Sequence, residues 1–307
     1  MSINNPPRIG LALSGGAARG IAHVGVLRAF AEHNIRVDCV AGTSAGSLVG
    51  GALASGMPLS EIEDIGRTMR WRHVGRPTVS RFGLQSNERM EGYVRARFPL
   101  TRFEDLPIPF AVIATDLNSG EAVVMRDEGD VAFAIRASCT VPGWYVPVTD
   151  PQGRLLVDGG LVAIVPSAAA RDLGADIVIA VDVNAEGAKF LGPLRSMFGV
   201  LLQSMMVVQR TVSLPLLEGA DLVISPRVGH IRWDEMKRGE ELLAAGYEAG
   251  LESIEAIKSL IASFDVEAQD GDTGEKNDIK SVAPGLLSWR KSLQSRVSTS
   301  TSPIEGK

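Results

Sequence analysis

The sequence predicts a three-layer α/β sandwich with a mostly parallel central sheet, and three observations predict it. Short apolar runs rich in β-branched and small residues recur at 8–14, 39–41, 109–117, 154–157, 176–183 and 221–225, each reading as a strand. Between them lie stretches whose apolar residues fall at helical spacing, such as Ile21, Val24, Leu27 and Ala31. The run 176–183 is apolar almost throughout, as expected of a strand covered on both faces by helices.

Taken in order, 8–14 runs as a strand into Gly15-Gly16-Ala17-Ala18-Arg19-Gly20, and a helix follows from Ile21 to about Asn34. The second strand leads into Gly42-Thr43-Ser44-Ala45-Gly46 and a helix over 44–56, closed by Gly56 with Pro58 beyond. A further helix starts at Ser60 with Glu61 and Glu63 in its first turn, and Asn87 caps another over 87–98. The segments around Pro77 and Gly83 read as looser. The strand 109–117 pairs with 121–125 across Asn118-Ser119-Gly120, and a helix over 131–138 leads to Val141-Pro142-Gly143.

The strand 154–157 ends at Asp158-Gly159-Gly160; a helix over 167–173 stops at Gly174 before the strand 176–183. Residues 190–212 are apolar and methionine-rich at helical spacing. Packing against the sheet is the expectation, and a lip for lipid tails the alternative. After the strand 221–225, a long helix over 234–263 is expected to break at Gly246 and Gly250. Beyond Phe264 the chain turns to Asp, Gly, Ser, Thr and Lys. One domain over 1–264 and a disordered tail over 265–307 are therefore expected, with Leu286, Leu287 and Trp289 forming a transient docking helix.

A hydrophobic content of 45% supports a sizeable core, and 22% charged residues is ordinary for a water-facing surface. Cys39 and Cys139 sit in apolar surroundings far apart, which suits buried free thiols in a reducing compartment. The first residues lack a basic region followed by an apolar core, and no apolar run is long enough to cross a bilayer, so a cytoplasmic protein is expected. The net charge of −5 conceals an asymmetry: 66–102 holds nine arginines against Glu88 and Glu91, a local +7. That stretch reads as a solvated face or as a patch for peripheral contact with anionic lipid headgroups. Nucleic acid is not expected, because the chain as a whole is acidic and no binding motif accompanies the arginines.

Ser44 sits where strand gives way to helix, the setting of a nucleophile elbow that lifts a serine Oγ clear of the sheet. Gly42 and Gly46 suit it, because the turn brings backbone too close for a Cβ. A nucleophile of this kind needs a base and donors for an oxyanion. The loop 15–20 offers successive N–H groups between strand and helix. It is not a P-loop, having no Lys-Ser or Lys-Thr, and it does not fit G-x-G-x-x-G. Asp158 closes a strand before two glycines, which puts its carboxylate at the C-terminal edge of the sheet beside the elbow. An aspartate near its ordinary pKa is a feeble base for a hydroxyl, so burial must raise its basicity. The histidines His23, His33, His73 and His230 each read as ordinary helix or loop residues. The order Ser44…Asp158…His230 nevertheless keeps a triad open.

Leu13 to Gly20 followed by a helix, Gly42 to Gly46, and Asp158-Gly159-Gly160, in that order, resemble the patatin-like phospholipases, and among them the bacterial members allied to neuropathy target esterase. The resemblance extends through Ala137 to Gly143 and Leu173 to Asp176, and spans roughly 8–225. It implies a patatin-like fold and a serine lipid acyl hydrolase of the phospholipase, lysophospholipase or carboxylesterase kind, using a Ser–Asp dyad with no histidine, metal or cofactor. By the resemblance Ser44 is the nucleophile, Asp158 the base, and Gly15, Gly16, Ala17 and Arg19 the oxyanion loop. Ala17 stands where a third glycine is usual; at positive φ it is strained by about 1 kcal/mol. Ala163-Ile164 replaces an asparagine-rich pair. The remaining alternative is a patatin-fold lipid-binding or regulatory module with little turnover.

Overall fold

The computed structural model describes residues 6–186 and 197–270; of the tail expected over 265–307, residues 265–270 continue the last helix, and the rest, with its Leu286-Leu287-Trp289 helix, lies outside the described residues. Residues up to Asp265 form one compact unit. The chain opens with β1 (Ile9–Leu13), α1 (Ile21–Glu32), β2 (Cys39–Thr43) and α2 (Ala45–Ala54). It continues through α3 (Leu59–Thr68), α4 (Trp71–Val74), β3 (Arg76–Pro77), β4 (Gly83–Ser86) and α5 (Glu88–Arg97). Next come β5 (Phe110–Asp116), β6 (Ala122–Met125), α6 (Val131–Ser138), β7 (Gly143–Tyr145), β8 (Val148–Thr149) and β9 (Leu155–Asp158). The last elements are α7 (Ser167–Asp172), β10 (Ile177–Val181), α8 (Met197–Leu217), β11 (Leu222–Ile224) and α9 (Gly239–Asp270).

Five strands run parallel in the order β11-β10-β1-β2-β5, the mostly parallel sheet of the sequence expectation. Their side chains alternate between two cores, as strand geometry requires. Leu11, Leu13, Val40, Val112 and Ile179 face the large core, shared with residues of α1, α2, α3, α6 and α9. Ala12, Ala41, Ala111 and Ala180 face the other side, against Ala169 and Ala170 of α7, and their small size lets that helix lie close to the sheet.

The register around β5 builds the site. β2 pairs along β5 as far as Thr43 with Ile113, while β6 runs antiparallel on the opposite edge. β9 is antiparallel and takes up the edge β2 has left, starting with Asp158 opposite Ala114. The ends of β2 and β9 therefore meet head-on beside consecutive residues of β5. Asp158 reaches the C-terminal edge of β2 by approaching from the opposite direction, whereas the alternation of strands and helices suggested a parallel strand.

Other elements depart from expectation for identifiable reasons. β3, β4 and β7 form a small second sheet whose strands, two to four residues long and containing Pro77 and Gly83, are too short to show alternation. α9 does not break at Gly246 or Gly250. These glycines are where it crosses α1: a Cβ on Gly246 would lie 1.9 Å from the Ala22 carbonyl oxygen, and one on Gly250 2.7 Å from Ala29 Cβ. Of the stretch 190–212, residues 190–196 lie outside the described residues, and over 197–212 the expectation of burial holds on one face only. Within α8, Leu202 is buried but Val200, Leu201, Val207 and Val208 are exposed. Among the described residues no helix is long and apolar enough to cross a membrane.

Candidate active site

Ser44 occupies the turn between β2 and α2 with φ 51° and ψ −122°, a backbone conformation that non-glycine residues rarely hold. The flanking glycines make the turn sterically possible. A Cβ on Gly42 would lie 2.6 Å from the Gly46 carbonyl oxygen, and one on Gly46 2.2 Å from that of Leu13. Ser138, at the end of α6, holds the turn in place: its Oγ accepts the Ser44 N–H at 2.7 Å and donates to the Ile113 carbonyl at 2.5 Å. The elbow is thus tied to β5, the strand that carries Asp158 on the same edge.

Ser44 Oγ donates to Asp158 Oδ2 at 2.6 Å, and Asp158 Oδ1 accepts the Gly160 N–H at 2.8 Å. Each carboxylate oxygen therefore has one donor, and the oxygen facing the serine is positioned to take its proton. The Asp158 backbone is fixed from both sides. Its N–H donates to the Thr140 carbonyl at 2.8 Å, and its own carbonyl accepts from Thr115 Oγ1 at 2.9 Å. Asn87 stands at the N-cap of α5 as the sequence suggests, but its side chain makes no capping bond; its amide donates to Thr140 Oγ1 and to the Arg136 carbonyl, bracing the loop that holds Asp158. Gly159 is required where the chain crosses β5, since a Cβ there would lie 2.2 Å from the Ile113 carbonyl oxygen. A Cβ on Gly160 would sit 3.0 Å from Asp158 Oδ1. Asp158 is only 4% exposed, and burial raises its pKa to about 6, against the smaller opposing pull of its bonds to Ser44 and Gly160.

The glycine-rich loop lies against the elbow, with an ideal Cβ on Gly15 only 3.3 Å from Ser44 Cβ. Its N–H groups are not equivalent. Gly15 donates to the Ile164 carbonyl at 3.0 Å, Ala18 to that of Trp233 at 2.9 Å, and Arg19 to that of Gly16 at 3.1 Å. The N–H groups of Gly16 and Ala17 have no hydrogen-bond partner among the described residues, so these two are the donors left for an oxyanion. Ala17 adopts φ 49°, the positive value at which its Cβ is strained. The Arg19 side chain is buried and its Nε donates to the Ile231 carbonyl at 2.8 Å; burial lowers its pKa to about 10, against the pull of Glu186. It ties the loop to the segment after β11.

His23 and Asn184 also brace this loop, and the sequence singled out neither for it. Asn184 donates to the Gly15 carbonyl at 2.6 Å. His23 is fully buried with Nε2 2.8 Å from the Ser14 carbonyl oxygen; because a carbonyl only accepts, Nε2 carries the proton. Burial lowers the His23 pKa to about 4, so the ring is neutral. Ser138 and Thr115 are the other residues that sequence reasoning missed. A serine ending an apolar helix and a threonine inside an apolar strand carry no local signal of such a task. His230 lies on the surface with Nε2 2.7 Å from Glu241 Oε1, and Asp158 has no histidine partner among the described residues. Among the described residues no group of His, Cys, Asp and Glu is placed to hold a metal ion.

Of the nine arginines in 66–102, Arg67, Arg76, Arg95 and Arg102 pair with carboxylates. Arg70 and Arg89 donate to backbone carbonyls, Arg72 to His73, and Arg81 and Arg97 lie over the rings of Phe82 and Tyr93. Beside Arg81, the turn between β3 and β4 exposes Val79 fully and Phe82 by 62%.

The patatin-like phospholipase family model matches residues 11–171, a segment containing the glycine loop, Ser44 and Asp158. An NTE family protein of Mycobacterium tuberculosis is 37% identical over 195 residues, 62% of this chain and 52% of its own length. Patatin-like phospholipase domain-containing protein 7 of Rattus norvegicus is 35% identical over 190 residues, 58% of this chain and 14% of its own. The chain thus spans about half the length of the mycobacterial relative and a small part of the rat one. VipD from Legionella pneumophila shares the fold, with a TM-score of 0.52 at 14% identity over 82% of this chain and 67% of that one.

Proposed function

This chain belongs to the patatin-like phospholipase family, and on that premise we propose that it is a serine lipid acyl hydrolase, cleaving the carboxylic ester of a lipid, phospholipid or lysophospholipid through a Ser44–Asp158 dyad. The observation that carries the proposal is the 2.6 Å hydrogen bond from Ser44 Oγ to an Asp158 carboxylate whose pKa burial raises to about 6. A carboxylate so placed is a stronger base than one in water and is still ionised at neutral pH.

In this reading Ser44 Oγ attacks the acyl carbonyl as Asp158 takes its proton. The N–H groups of Gly16 and Ala17 receive the oxyanion, and the dipole of α2 favours the same charge. Collapse of the tetrahedral intermediate breaks the ester bond, and Asp158 returns the proton to the departing alcohol oxygen. Water then enters, gives a proton to Asp158 and attacks the acyl-enzyme. The second intermediate releases the carboxylic acid and restores Ser44. The reading extends to a peripheral contact with anionic membrane through 66–102, supported by the arginines without carboxylate partners and by the exposed Val79 and Phe82.

The test is p-nitrophenol release from acyl esters, together with mass spectrometry of fluorophosphonate-treated protein. Ser44→Ala is expected to remove both turnover and label. Asp158→Ala is expected to cut kcat by roughly 10²–10⁴-fold, whereas His230→Ala retains activity. Loss of activity in His230→Ala would restore the triad. Folded wild type without turnover or label would favour the binding module.

A further inference from the structure

Each of the two N–H groups left for an oxyanion belongs to a planar peptide unit, so it points wherever the carbonyl of that unit allows. The unit ending in the Ala17 N–H is held within the loop itself, because the Gly16 carbonyl accepts the Arg19 N–H at 3.1 Å. The unit ending in the Gly16 N–H is held from far away: its carbonyl, that of Gly15, accepts from Asn184 Nδ2 at 2.6 Å across 169 residues of sequence. The unit before it is tied at both ends, the Ser14 carbonyl to His23 and the Gly15 N–H to the Ile164 carbonyl. Close packing requires glycine on both sides of the unit that Asn184 holds. A Cβ on Gly15 would lie 2.6 Å from Ile164 Cδ1, and one on Gly16 2.4 Å from Val183 Cγ2. The consequence is a peptide flanked by two glycines, which can turn over because glycine accepts either sign of φ.

We propose that Asn184 is a positioning residue for the oxyanion site: by holding the Gly15 carbonyl it keeps the Gly16 N–H, and not that carbonyl, turned toward the acyl group on Ser44. The inference rests on the hydrolase reading of Ser44. Turned over, the same peptide would present a carbonyl oxygen to the developing oxyanion and replace attraction by repulsion. The peptide lies beside the nucleophile, since an ideal Cβ on Gly15 is 3.3 Å from Ser44 Cβ. Asn184 is itself well placed to hold it. β10 pairs with β1 as far as Val181 opposite Leu13, so the two chain segments leave the sheet side by side. The Asn184 N–H donates to Asp182 Oδ1 at 2.9 Å, and Asp182, only 2% exposed, donates its own N–H to the Ile224 carbonyl at 2.9 Å. The task requires a donor: a carbonyl only accepts, which turns Nδ2 of the amide toward Gly15. An aspartate would have the same shape and no hydrogen to give.

The experiment measures kcat and KM for a p-nitrophenyl ester and for its thiono analogue, in which sulfur replaces the acyl carbonyl oxygen, in wild type, Asn184→Asp and Asn184→Ala. Sulfur accepts hydrogen bonds weakly, so wild type is expected to favour the oxygen ester. Both variants are expected to lower kcat on the oxygen ester by about 10²–10³-fold with KM little changed. The thiono ester should lose much less, so the preference for oxygen shrinks. Circular dichroism verifies folding. A wild type that turns over both esters equally well has no hydrogen-bonded oxyanion for Asn184 to support, and overturns the proposal even where neither variant folds. Folded variants as active as wild type also overturn it. So do variants that lose activity on both esters alike, or that both fail to fold, since Asn184 then serves the structure and not the oxyanion. In all these cases wild-type Ser44 still hydrolyses esters, so the hydrolase reading stands. Absence of all wild-type turnover and fluorophosphonate label is a different result, and it overturns that reading itself.

Discussion

At Asp158 the demands of folding and of chemistry oppose each other. A carboxylate whose folded pKa lies near 6 instead of its ordinary 3.8 is harder to ionise in the folded chain than in the unfolded one. At pH values above 6 its charge costs the fold on the order of 3 kcal/mol. The cost is absent below the unfolded pKa and grows as pH rises through the window between the two values. The proposed catalysis runs the other way, because only the ionised form could accept the proton of Ser44. The kcat/KM of the wild type is therefore expected to fall about tenfold per pH unit below pH 6, read from the pH profile with a soluble ester. A profile flat from pH 5 to 8 would mean that Asp158 is not the group that takes the proton. Ser44 is strained in the same neighbourhood, and Ser138 and Thr115 hold both residues to β5. These hydroxyls, together with the Ser44–Asp158 hydrogen bond, fix the two side chains relative to β5.

Close approach, more than propensity, decides the helices. Glycines in a long helix usually weaken it, which is why Gly246 and Gly250 suggested interruptions. In the folded chain they are contact points: Gly25 of α1 faces the Leu243 carbonyl of α9, and Gly246 faces that of Ala22. A methyl at Gly246 would meet backbone, which cannot rotate away. Gly246→Ala is expected to lower the unfolding free energy by about 3 kcal/mol, measured by urea denaturation. Gly92→Ala is the counterpart in α5. Nothing lies within 4 Å of a Cβ there, so a gain of up to about 1 kcal/mol is expected. A similar response at both sites would rule out the close crossing.

Across the whole molecule, the acidic net charge and the arginine-rich stretch describe a surface of two characters. The structure reduces the free charge of that stretch, since four of its nine arginines pair with carboxylates. It also adds exposed hydrocarbon at the tip between β3 and β4, which composition does not reveal. The membrane contact proposed for this tip would combine the two. Co-sedimentation is expected with anionic vesicles and not with neutral ones, weakening between about 0.05 and 0.5 M salt. The double change Arg81→Glu with Phe82→Ser should reduce it further. Binding indifferent to salt and to both substitutions would exclude this stretch as the contact.

Much of this molecule is legible without coordinates, because the relevant signals are local. The strands β1, β2, β5 and β10 announce themselves as apolar runs, and the glycines around Ser44 and after Asp158 mark turns that tolerate no Cβ. Ser44 and Asp158 stand out as candidates from those turns and from family resemblance. What depends on long-range pairing is not written in any short stretch. The antiparallel entry of β9, which sets Asp158 one residue beyond Thr43 on the edge of β5, joins positions 114 residues apart in the dyad. The braces formed by Ser138, Thr115, Asn87 and His23, the use of the Gly15 N–H by Ile164, and the burial that raises the Asp158 pKa have the same origin. A side chain's hydrogen-bond partner and its dielectric surroundings come from segments remote in the chain, and only the folded structure brings those together.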